Sequence, residues 1–402
     1  MSSTPGDREM RLAHVTTVDM TLRFLLRDQL SAFRDAGFDM IAISAPGPWV
    51  PDLERDGVTH VAVSALKRRL SPVADVRALL SLIAVFRRLR PCIVHTHTPK
   101  ASVLGRIAAR LAGVPIVVDT VHGFYAVDGS FVRRQAYMML ERLAARCADF
   151  EFCQSREDLE GLRRLGVLDP ARSAYLGNGV NLQLFDPRRT DRDAARAQLG
   201  VPPGAVVVGT VGRLVWEKGY REFFAMAEVL KKRDARLVVL AIGPHEAGKA
   251  DAVPVSVIED LERRGVVRFL GMRTDMPALY AAMDIFVLAS YREGLPRAAV
   301  EAAAMGKPLV LTNIRGCRET AVEGRNGFLV PPRDVPHLLD RVWRLVCDAR
   351  LRNQFGMESR ERALDQFDEQ RVISTTLDVY RRLLWKKRGV TIGAHQESAA
   401  DG

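Results

Sequence analysis

The sequence predicts an α/β protein made of two Rossmann-like domains, each built on a doubly wound parallel sheet. Short apolar runs alternate with amphipathic helical segments through the first half of the chain, as expected for consecutive βα units. The pattern breaks at Gly177 and resumes at Val206, after a polar stretch that ends in Pro202-Pro203-Gly204. A length of 402 residues also favours two domains over one.

The first domain is predicted over residues 1–185. Its strands are short apolar runs, and its helices repeat apolar residues three and four apart. The predicted strands are 11–16, 39–44, 58–63, 92–95, 116–120 and 150–154. The predicted helices are 22–36, one opened by Ser71-Pro72, 101–112, 131–147 and one capped by Ser155.

A linker is predicted over 186–204, and the second domain over 205–368. Its predicted strands are 206–211, 236–242, 267–270, 284–290, 308–312 and 327–330. Its predicted helices are 220–232, 257–264, 276–283, 297–305, 335–347 and 351–363. A last helix, 369–388, is expected to cross back to the first domain, and a disordered tail, 389–402, to follow. Two such domains facing each other would hold a ligand in the cleft between them.

Composition and charge narrow the possible classes of protein. The sequence has no run of about 18 apolar residues, so it predicts no membrane span. The polar first ten residues lack the apolar core of a signal peptide. Five cysteines without a CxxC motif favour a reducing cytosol. The net charge of +11, with local Lys and Arg clusters, favours an anionic partner, either a membrane surface or a polyanionic substrate. Nucleic acid is not expected, because no binding motif is present and aromatic residues make up only 7%.

The stretch from Asp284 to Glu301 predicts a strand, a tight turn and a helix. The turn carries Glu293 and Gly294, and Pro296 has the fixed φ that suits a helix start. Ligands bind open α/β sheets at the carboxyl ends of the strands, where this turn lies, and helix amides there suit an anion. Two solvated glutamates remain the alternative reading of this stretch.

Two cations follow the first strand of the second domain. Arg213 and Lys218 lie in a turn bounded by glycines, where they could bind a nucleotide diphosphate and stabilise its charge as a leaving group. The alternative for each is that it is a solvated surface residue that only contributes to solubility. A metal role is not expected for His95 and His97, because no carboxylate or third histidine lies nearby in sequence. The Asp-x-Asp at Asp191 is read as charge at a helix start.

An ordered series of motifs resembles the retaining glycosyltransferases of family 4, which have the two-Rossmann GT-B fold. The resemblance runs from about residue 10 to 385 and extends to the bacterial branch that builds capsule, exopolysaccharide or lipid-linked glycans on polyprenyl diphosphate. The motifs are Gly212-Arg213-Leu214-x-x-Glu217-Lys218-Gly219, Phe269-Leu270-Gly271, Asp284 to Leu288, Glu293 with seven residues before Glu301, Gly316 to Glu319, Asn326 to Val330, His95 to Lys100 and Val121 to Phe124.

The resemblance implies roles for individual residues of the second domain. Arg213 and Lys218 would bind the donor diphosphate, Glu301 the ribose and Glu293 the donor hexose. The backbone around Arg268 and Phe269 would face the nucleotide base. The implied donor-binding residues are Arg213, Lys218, Arg268, Phe269, Glu293, Gly294, Leu295, Pro296 and Glu301. The implied catalytic residues are His122, Glu293, Arg213 and Lys218. The resemblance implies neither a metal nor a cofactor, since the nucleotide sugar is a substrate.

In the first domain the resemblance places His122 near the anomeric centre, where it orients the sugar or the acceptor. The family's first loop is often Gly-Gly, but the equivalent here, 16–21, contains no glycine. The missing glycine leaves open whether this loop contacts the diphosphate, and Thr17 and Asp19 are expected on the acceptor side together with His122.

The predicted helix 131–147 has two open readings. Its apolar stripe of Tyr137, Met138, Leu140 and Leu143 could contact a membrane beside basic residues, or it could pack on the first-domain sheet.

Together these features predict a hexosyltransferase that uses a nucleotide sugar, with uridine as the default base. It would act on a lipid-linked or glycan acceptor at the inner face of the cytoplasmic membrane. The alternatives are another GT-B enzyme, such as a sugar-nucleotide epimerase, or a non-catalytic binder of anionic polymers.

Overall fold

The computed structural model of the chain describes residues 10–67, 71–124, 131–246 and 248–391. The chain forms two compact units. The first contains Met1–Leu176 and Val372–Gly402, and the second contains Gly177–Arg371.

The first unit contains a parallel sheet of seven strands in its described residues, in the order β3-β2-β1-β4-β5-β6-β7. The strands are β1 (Arg11–Val18), β2 (Asp39–Ala45), β3 (Thr59–Ala62), β4 (Ile93–His97), β5 (Ile116–Val121), β6 (Phe150–Cys153) and β7 (Ser173–Tyr175). The helices are α1 (Asp19–Phe24), α2 (Arg27–Asp35), α3 (Val50–Arg55), α4 (Pro72–Leu89), α5 (Pro99–Leu111), α6 (Phe131–Cys147) and α7 (Arg156–Arg164).

The first sheet is apolar on both faces because helices cover both sides. Alternate residues of β1 belong to different cores: Leu12 packs with Phe33 of α2, whereas Ala13 packs with Leu82 of α4. The period of two along a strand produces this division. Tyr380, which is fully buried, belongs to the same core as Leu12.

The second unit contains a parallel sheet of six strands in its described residues, in the order β10-β9-β8-β11-β12-β13. The strands are β8 (Val207–Val211), β9 (Val238–Ile242), β10 (Arg268–Phe269), β11 (Ile285–Leu288), β12 (Leu309–Thr312) and β13 (Gly327–Val330). The helices are α8 (Arg192–Gln198), α9 (Tyr220–Arg233), α10 (Val255–Arg263), α11 (Met276–Ala282), α12 (Arg297–Ala304), α13 (Arg315–Thr320), α14 (Val335–Cys347) and α15 (Ala349–Gln366). A final helix, α16 (Glu369–Arg388), follows and supplies Tyr380 to the first unit.

The predicted α/β class with two doubly wound parallel sheets is confirmed. The single helix predicted over 22–36 is wrong. The amides of Leu25 and Leu26 both donate to the carbonyl of Thr21, at 3.0 and 3.2 Å, and this shared acceptor divides the segment into α1 and α2.

Other local predictions missed short elements. Helix α3 lies after the predicted loop around Trp49, α13 begins at Arg315 in a predicted loop, and β7 was not predicted. The segment predicted as a linker contains α8, and Asp191 caps it by accepting a hydrogen bond from the amide of Ala194 at 3.0 Å. The reading of Asp191 as helix-start charge is confirmed. Most of the predicted tail, 392–402, lies outside the described residues.

Among the described residues, no helix has both the length and the apolar character that a membrane crossing requires.

Candidate active site

The loops after β8 and β11 meet at the carboxyl edge of the second sheet. From β8 the chain adds β9 and β10 on one side, and β11 to β13 lie on the other, so the strand order reverses between β8 and β11. Doubly wound sheets bind their ligands at such a reversal. The two loops are joined by a hydrogen bond of 2.9 Å from the amide of Tyr291 to the carbonyl of Glu217.

Gly219 makes this approach possible. Its φ is +75°, and a Cβ atom there would overlap the carbonyl oxygen of Ala289 at the end of β11. The glycine that follows Lys218 in the sequence therefore fixes how closely the two loops can pack.

The structure brings two of the predicted site residues into direct contact. The ammonium of Lys218 lies 2.6 Å from Oε1 of Glu293, although 75 residues separate them in sequence. Their side chains are only 19% and 10% exposed. A mostly buried cation and carboxylate at the end of a parallel sheet can exchange their mutual contact for ligand groups of opposite charge or for hydroxyls.

Arg213 belongs to a second set of charges in the same loop. It donates to Glu246 at 2.9 Å and to Glu217 at 3.2 Å, and Arg292 donates to the other oxygen of Glu217 at 2.9 Å. Burial opposes ionisation of Glu217, but the hydrogen bond from Arg292 and the charge of Arg213 outweigh it and lower the pKa of this carboxyl. An incoming phosphate would therefore compete with carboxylates for Arg213. The sequence contained Glu217 within the motif but gave no reason to assign it this role.

The turn before α12 is held from the other side by the first turn of α13. A Cβ atom on Gly316 would overlap the carbonyl oxygen of Gly294, so the two backbones are in contact. Helix α12 begins directly after Pro296. The first amides of a helix have no partners within it, so this end can accept an anionic or hydroxyl oxygen. Gly294, Leu295 and Pro296 thus lie beside the Lys218 pair in the same set of loops.

Glu301 lies one turn into α12 and is already partnered. Tyr280 donates its hydroxyl to Oε2 at 3.0 Å, and Arg297 donates to Oε1 at 2.9 Å. Burial and the nearby carboxylate raise the pKa of Tyr280, so its hydroxyl stays protonated and remains a donor. Glu301 is therefore held rigidly, with lone pairs left for a further hydroxyl; the ribose contact stays a prediction.

The side chains of Arg268 and Phe269 point into other contacts. Arg268 donates to the carbonyl of Leu199 at 2.9 Å, at the end of α8. Phe269 packs edge-on against Phe224 of α9, with 5.7 Å between ring centroids. The expectation for these two residues concerned their backbone, and it stays a prediction; no hydrogen bond among the described residues joins Arg268 to Lys218 or Glu293.

In the first unit, Thr17 lies at the end of β1, where the strand order again reverses between β1 and β4. Its hydroxyl is 2.8 Å from that of Thr98. Asp19 is buried, and its two oxygens accept from the amides of Trp49 at 2.8 Å and Met20 at 2.9 Å. The structure therefore gives Asp19 an anchoring role for the loop after β2, and its contact with an acceptor stays a prediction.

His122 follows β5 and ends a row of histidines. Its Nε2 lies 3.0 Å from Nδ1 of His97, and Nε2 of His97 lies 2.9 Å from Nδ1 of His14. The sequence reasoning missed His14 because it considered only neighbours in sequence. The signal was available: His14 and His95 are register partners on the adjacent strands β1 and β4, and His97 is two residues beyond His95 on the same face.

The three histidines His14, His95 and His97 bring ring nitrogens within 4.8 Å of one another, which is a spacing that a metal ion could use. A third histidine, distant in sequence, therefore lies beside His95 and His97 in three dimensions. However, both ring nitrogens of His95 have partners in the hydroxyls of Tyr380 and Thr120.

The apolar stripe of α6 fits each of its two interpretations, membrane contact and packing on the first sheet, only in part. Met138 is buried, and Tyr137 packs with it against the first unit, whereas Leu140 and Leu143 are 43% and 51% exposed. Met139 beside them is 71% exposed. Half of the stripe thus packs inward and half faces outward.

Comparisons with known proteins agree with this architecture. The sequence matches the family described as "Glycosyl transferases group 1" over residues 191–362, and "Glycosyl transferase 4-like domain" over residues 25–179. It is 30% identical to the UDP-Gal:alpha-D-GlcNAc-diphosphoundecaprenol alpha-1,3-galactosyltransferase of Escherichia coli, over 92% of this chain and 97% of that protein. It is 25% identical to the capsular polysaccharide biosynthesis glycosyltransferase CapM of Staphylococcus aureus, over 95% of this chain and 100% of that protein.

Solved structures show the same fold. The sucrose-phosphate synthase of Thermosynechococcus elongatus superposes with a TM-score of 0.79 at 21% identity, covering 94% of this chain and 100% of that one. A glycosyltransferase from Rickettsia africae superposes with a TM-score of 0.75 at 19% identity, covering 94% of this chain and 99% of that one.

Proposed function

Because the chain belongs to the group 1, family 4-like glycosyltransferases, we propose that it transfers a hexose or N-acetylhexosamine from a UDP-sugar to a polyprenyl-diphosphate-linked or glycan acceptor, with retention at the anomeric carbon. The observation that carries this proposal is the Lys218–Glu293 contact of 2.6 Å at the strand-order reversal of the second sheet. In this proposal the cation of Lys218 serves the diphosphate, and the carboxylate of Glu293 serves the sugar hydroxyls.

The donor diphosphate would replace the present carboxylate partners of the two cations. Lys218 would exchange Glu293 for a phosphate oxygen, and Arg213 would exchange Glu217 or Glu246. Positive groups fixed near the phosphates stabilise the negative charge that grows as the sugar–phosphate bond breaks. Glu293, once released, would be free to accept hydrogen bonds from the donor hexose.

The reaction conserves its atoms without a covalent enzyme intermediate. The acceptor hydroxyl oxygen bonds to the anomeric carbon, the bond from that carbon to the diphosphate breaks, and the hydroxyl proton passes to the leaving diphosphate. Attack on the same face of the sugar as departure would retain the configuration. No described side chain is an evident covalent nucleophile, so this route is favoured over double displacement.

The E. coli and S. aureus relatives support the acceptor class. The name of the first includes a diphosphoundecaprenol-linked sugar, and that of the second includes capsular polysaccharide. A lipid-linked acceptor would lie at a membrane, and we propose that α6 contacts the inner face of the cytoplasmic membrane through Met139, Leu140 and Leu143. The side chain of Arg146, three residues after Leu143 on the same helix, is exposed and would meet anionic headgroups.

A transfer assay with labelled UDP-galactose, UDP-glucose and their N-acetylated forms tests the main proposal. The acceptor is a polyprenyl-diphosphate-linked N-acetylglucosamine, and the anomeric coupling in the product reports retention. Conversion of the nucleotide sugar in the absence of acceptor would instead favour an epimerase. Full activity in cells of a Lys218→Ala, Glu293→Ala variant would favour a non-catalytic binder of anionic polymers.

Flotation with vesicles tests the membrane contact separately. The protein should rise with vesicles rich in phosphatidylglycerol and stay down with phosphatidylcholine alone. Leu140→Glu with Leu143→Glu should abolish flotation and leave transfer to a short-chain, water-soluble acceptor intact. Flotation that is unchanged in this variant would refute the assignment to α6.

A further inference from the structure

A groove of about 790 Å³ lies at the amino edge of the second sheet. It is bounded by α8, α11 and α15 and by residues that directly precede two strands, Asp284 before β11 and Lys307 with Pro308 before β12. These strands are parallel, so both begin at the edge opposite to the loop that carries Glu293 after β11. The groove is therefore separate from the candidate active site.

Cations outnumber carboxylates among the described residues that line this groove. The charged lining residues are the cations Arg192, Lys307, Arg352 and Arg360 and the anions Asp284 and Glu361. Asp284 already accepts from two arginines of α8, Arg192 at 2.7 Å and Arg196 at 3.2 Å, and from the amide of Val207 at 2.8 Å. In the described structure it makes no hydrogen bond with Lys307, so it leaves that ammonium without a carboxylate partner.

Lys307 and Arg192 share one neutral acceptor. The ammonium of Lys307 lies 3.3 Å from the carbonyl oxygen of Ala281, and Nη1 of Arg192 lies 3.4 Å from the same oxygen. Two positive groups thus converge on a single backbone oxygen, at distances beyond those of a strong hydrogen bond. Among the described residues this carbonyl is the only hydrogen-bond partner of Lys307, although an ammonium has three donors. One phosphate group would reach both cations.

The unbalanced positive charge also affects the titration of Lys307. The residue is buried, and burial lowers its pKa to about 7, helped by the charges of Arg192 and Arg196 and opposed by that of Asp284. An anion bound beside this ammonium would favour its charged form, because the anion supplies the negative charge that the chain itself lacks there.

The remaining wall of the groove offers apolar surface. Met357 and Leu364 of α15 both line it, and their side chains are exposed. The volume of the groove is that of a small-molecule site, in which apolar walls bury most of the ligand and a few polar groups orient it. A ligand that carries a ring or another apolar group beside its anionic group therefore fits this groove better than a bare anion.

We propose that this groove binds a phosphorylated small molecule whose phosphate is held by Lys307 and Arg192. The phosphate oxygens would accept from the remaining N–H groups of Lys307 and from Arg192, which is partly exposed and keeps Asp284 as the partner of its Nη2. Hydrogen bonds in which both partners are charged are stronger than neutral ones. This site lies at the edge of the sheet away from the donor loops, and it does not rest on the proposed function.

Calorimetric titration of the full chain with phenyl phosphate and with inorganic phosphate tests the groove. Phenyl phosphate should bind about tenfold more tightly, because its ring buries apolar surface against Met357 and Leu364. At about pH 8, where Lys307 is mostly neutral, binding should take up protons, since the anion favours the charged ammonium. Titrations in buffers with different heats of ionisation measure this uptake.

Lys307→Met removes the ammonium and keeps an unbranched side chain. It should weaken the binding of phenyl phosphate at least tenfold and abolish the proton uptake. Lys232→Met is the matched control, because Lys232 is exposed on the same unit and its loss changes the net charge equally. Lys218→Met is the control for the donor loops. Both controls should bind phenyl phosphate like the wild-type protein.

No binding of phenyl phosphate up to about 10 mM, by calorimetry or by thermal shift, would overturn the site. Wild-type affinity in Lys307→Met would overturn it as well, and loss of binding in Lys218→Met would place the phosphate at the donor loops instead. Transfer activity enters none of these measurements, so a failure of the proposed function leaves the site standing, and the reverse also holds.

Vesicles of phosphatidic acid test a lipid headgroup as the source of the same chemistry. They are used with the Leu140→Glu, Leu143→Glu variant, so that contact through α6 does not contribute. No capture of this variant supports a soluble ligand. Capture that is lost on adding Lys307→Met, without binding of phenyl phosphate, would overturn the soluble ligand in favour of a lipid.

Discussion

The Lys218–Glu293 contact can be dissected by replacing each partner alone and both together. In Lys218→Met the carboxylate of Glu293, only 10% exposed, loses the ammonium that lies 2.6 Å away. Leaving a mostly buried charge without this partner should lower the free energy of unfolding by about 1–3 kcal/mol. The double variant with Glu293→Gln buries neither charge and should recover most of that loss.

Ligand binding should respond differently from stability. If UDP is the donor nucleotide, UDP at one hundred times its Kd should stabilise the protein by about 2.7 kcal/mol. That free energy raises the melting temperature of a unit the size of 177–371 by roughly 5–10 °C. If Lys218 contributes one charged hydrogen bond to the diphosphate, Lys218→Met should weaken UDP binding at least tenfold. The same UDP concentration should then stabilise the variant by about 1.4 kcal/mol or less. Glu293→Gln should keep the response to UDP and lose the additional stabilisation given by the UDP-sugar.

Thermal denaturation followed by calorimetry, with titration of UDP and UDP-sugar, measures both effects. Lys232→Met is the matched control, since Lys232 is exposed on the same unit and its loss changes the net charge equally. The reasoning is refuted if Lys218→Met binds UDP as tightly as the wild-type protein, or if Lys218→Met alone makes the unliganded protein more stable.

Three further predictions concern the second unit. Burial and nearby arginines lower the pKa of Lys307 from 10.5 to about 7. Between pH 7 and pH 10.5 the folded state therefore binds fewer protons than the unfolded state. The free energy of unfolding should rise with pH across this range. Lys307→Met should flatten this rise and should stabilise the protein at pH 6 by at most roughly 5 kcal/mol. Denaturant titrations at several pH values measure both effects. Gly219→Ala should cost about 2 kcal/mol or more in the same assay, because its Cβ meets Ala289 at positive φ. Asp284→Asn should cost about 2–3 kcal/mol, since the carboxylate accepts from Arg192 at 2.7 Å, while leaving the affinity for UDP unchanged in calorimetric titration.

Each of these has an outcome that contradicts it. Denaturant titrations in which Lys307→Met keeps the wild-type pH dependence would assign that dependence to another group. Gly271→Ala is the control for Gly219, because it has φ of +62° with open space around it and should cost clearly less. Weaker UDP binding by Asp284→Asn would show that the residue acts beyond its contact with α8.

Local sequence was sufficient for most of the longer elements and for locating the site loops. The capping carboxylate of Asp191, the glycine after Lys218 and the proline before α12 act through neighbours a few residues away, and each was placed correctly as a helix start or turn. Short elements such as α3 and β7 were not predicted, because a stretch of three to six residues is too short to show a helical or strand periodicity.

The sequence by itself thus determined the class of fold, the restart of the pattern after Pro203 and the motifs that join this chain to its family. Only the tertiary structure decided which distant side chains meet. Lys218 finds Glu293 across the reversal of the second sheet, and His14 joins His97 because β1 and β4 are neighbours there. Strand order depends on how whole units pack, and no local pattern of residues encodes it, so these contacts could be read only from the fold.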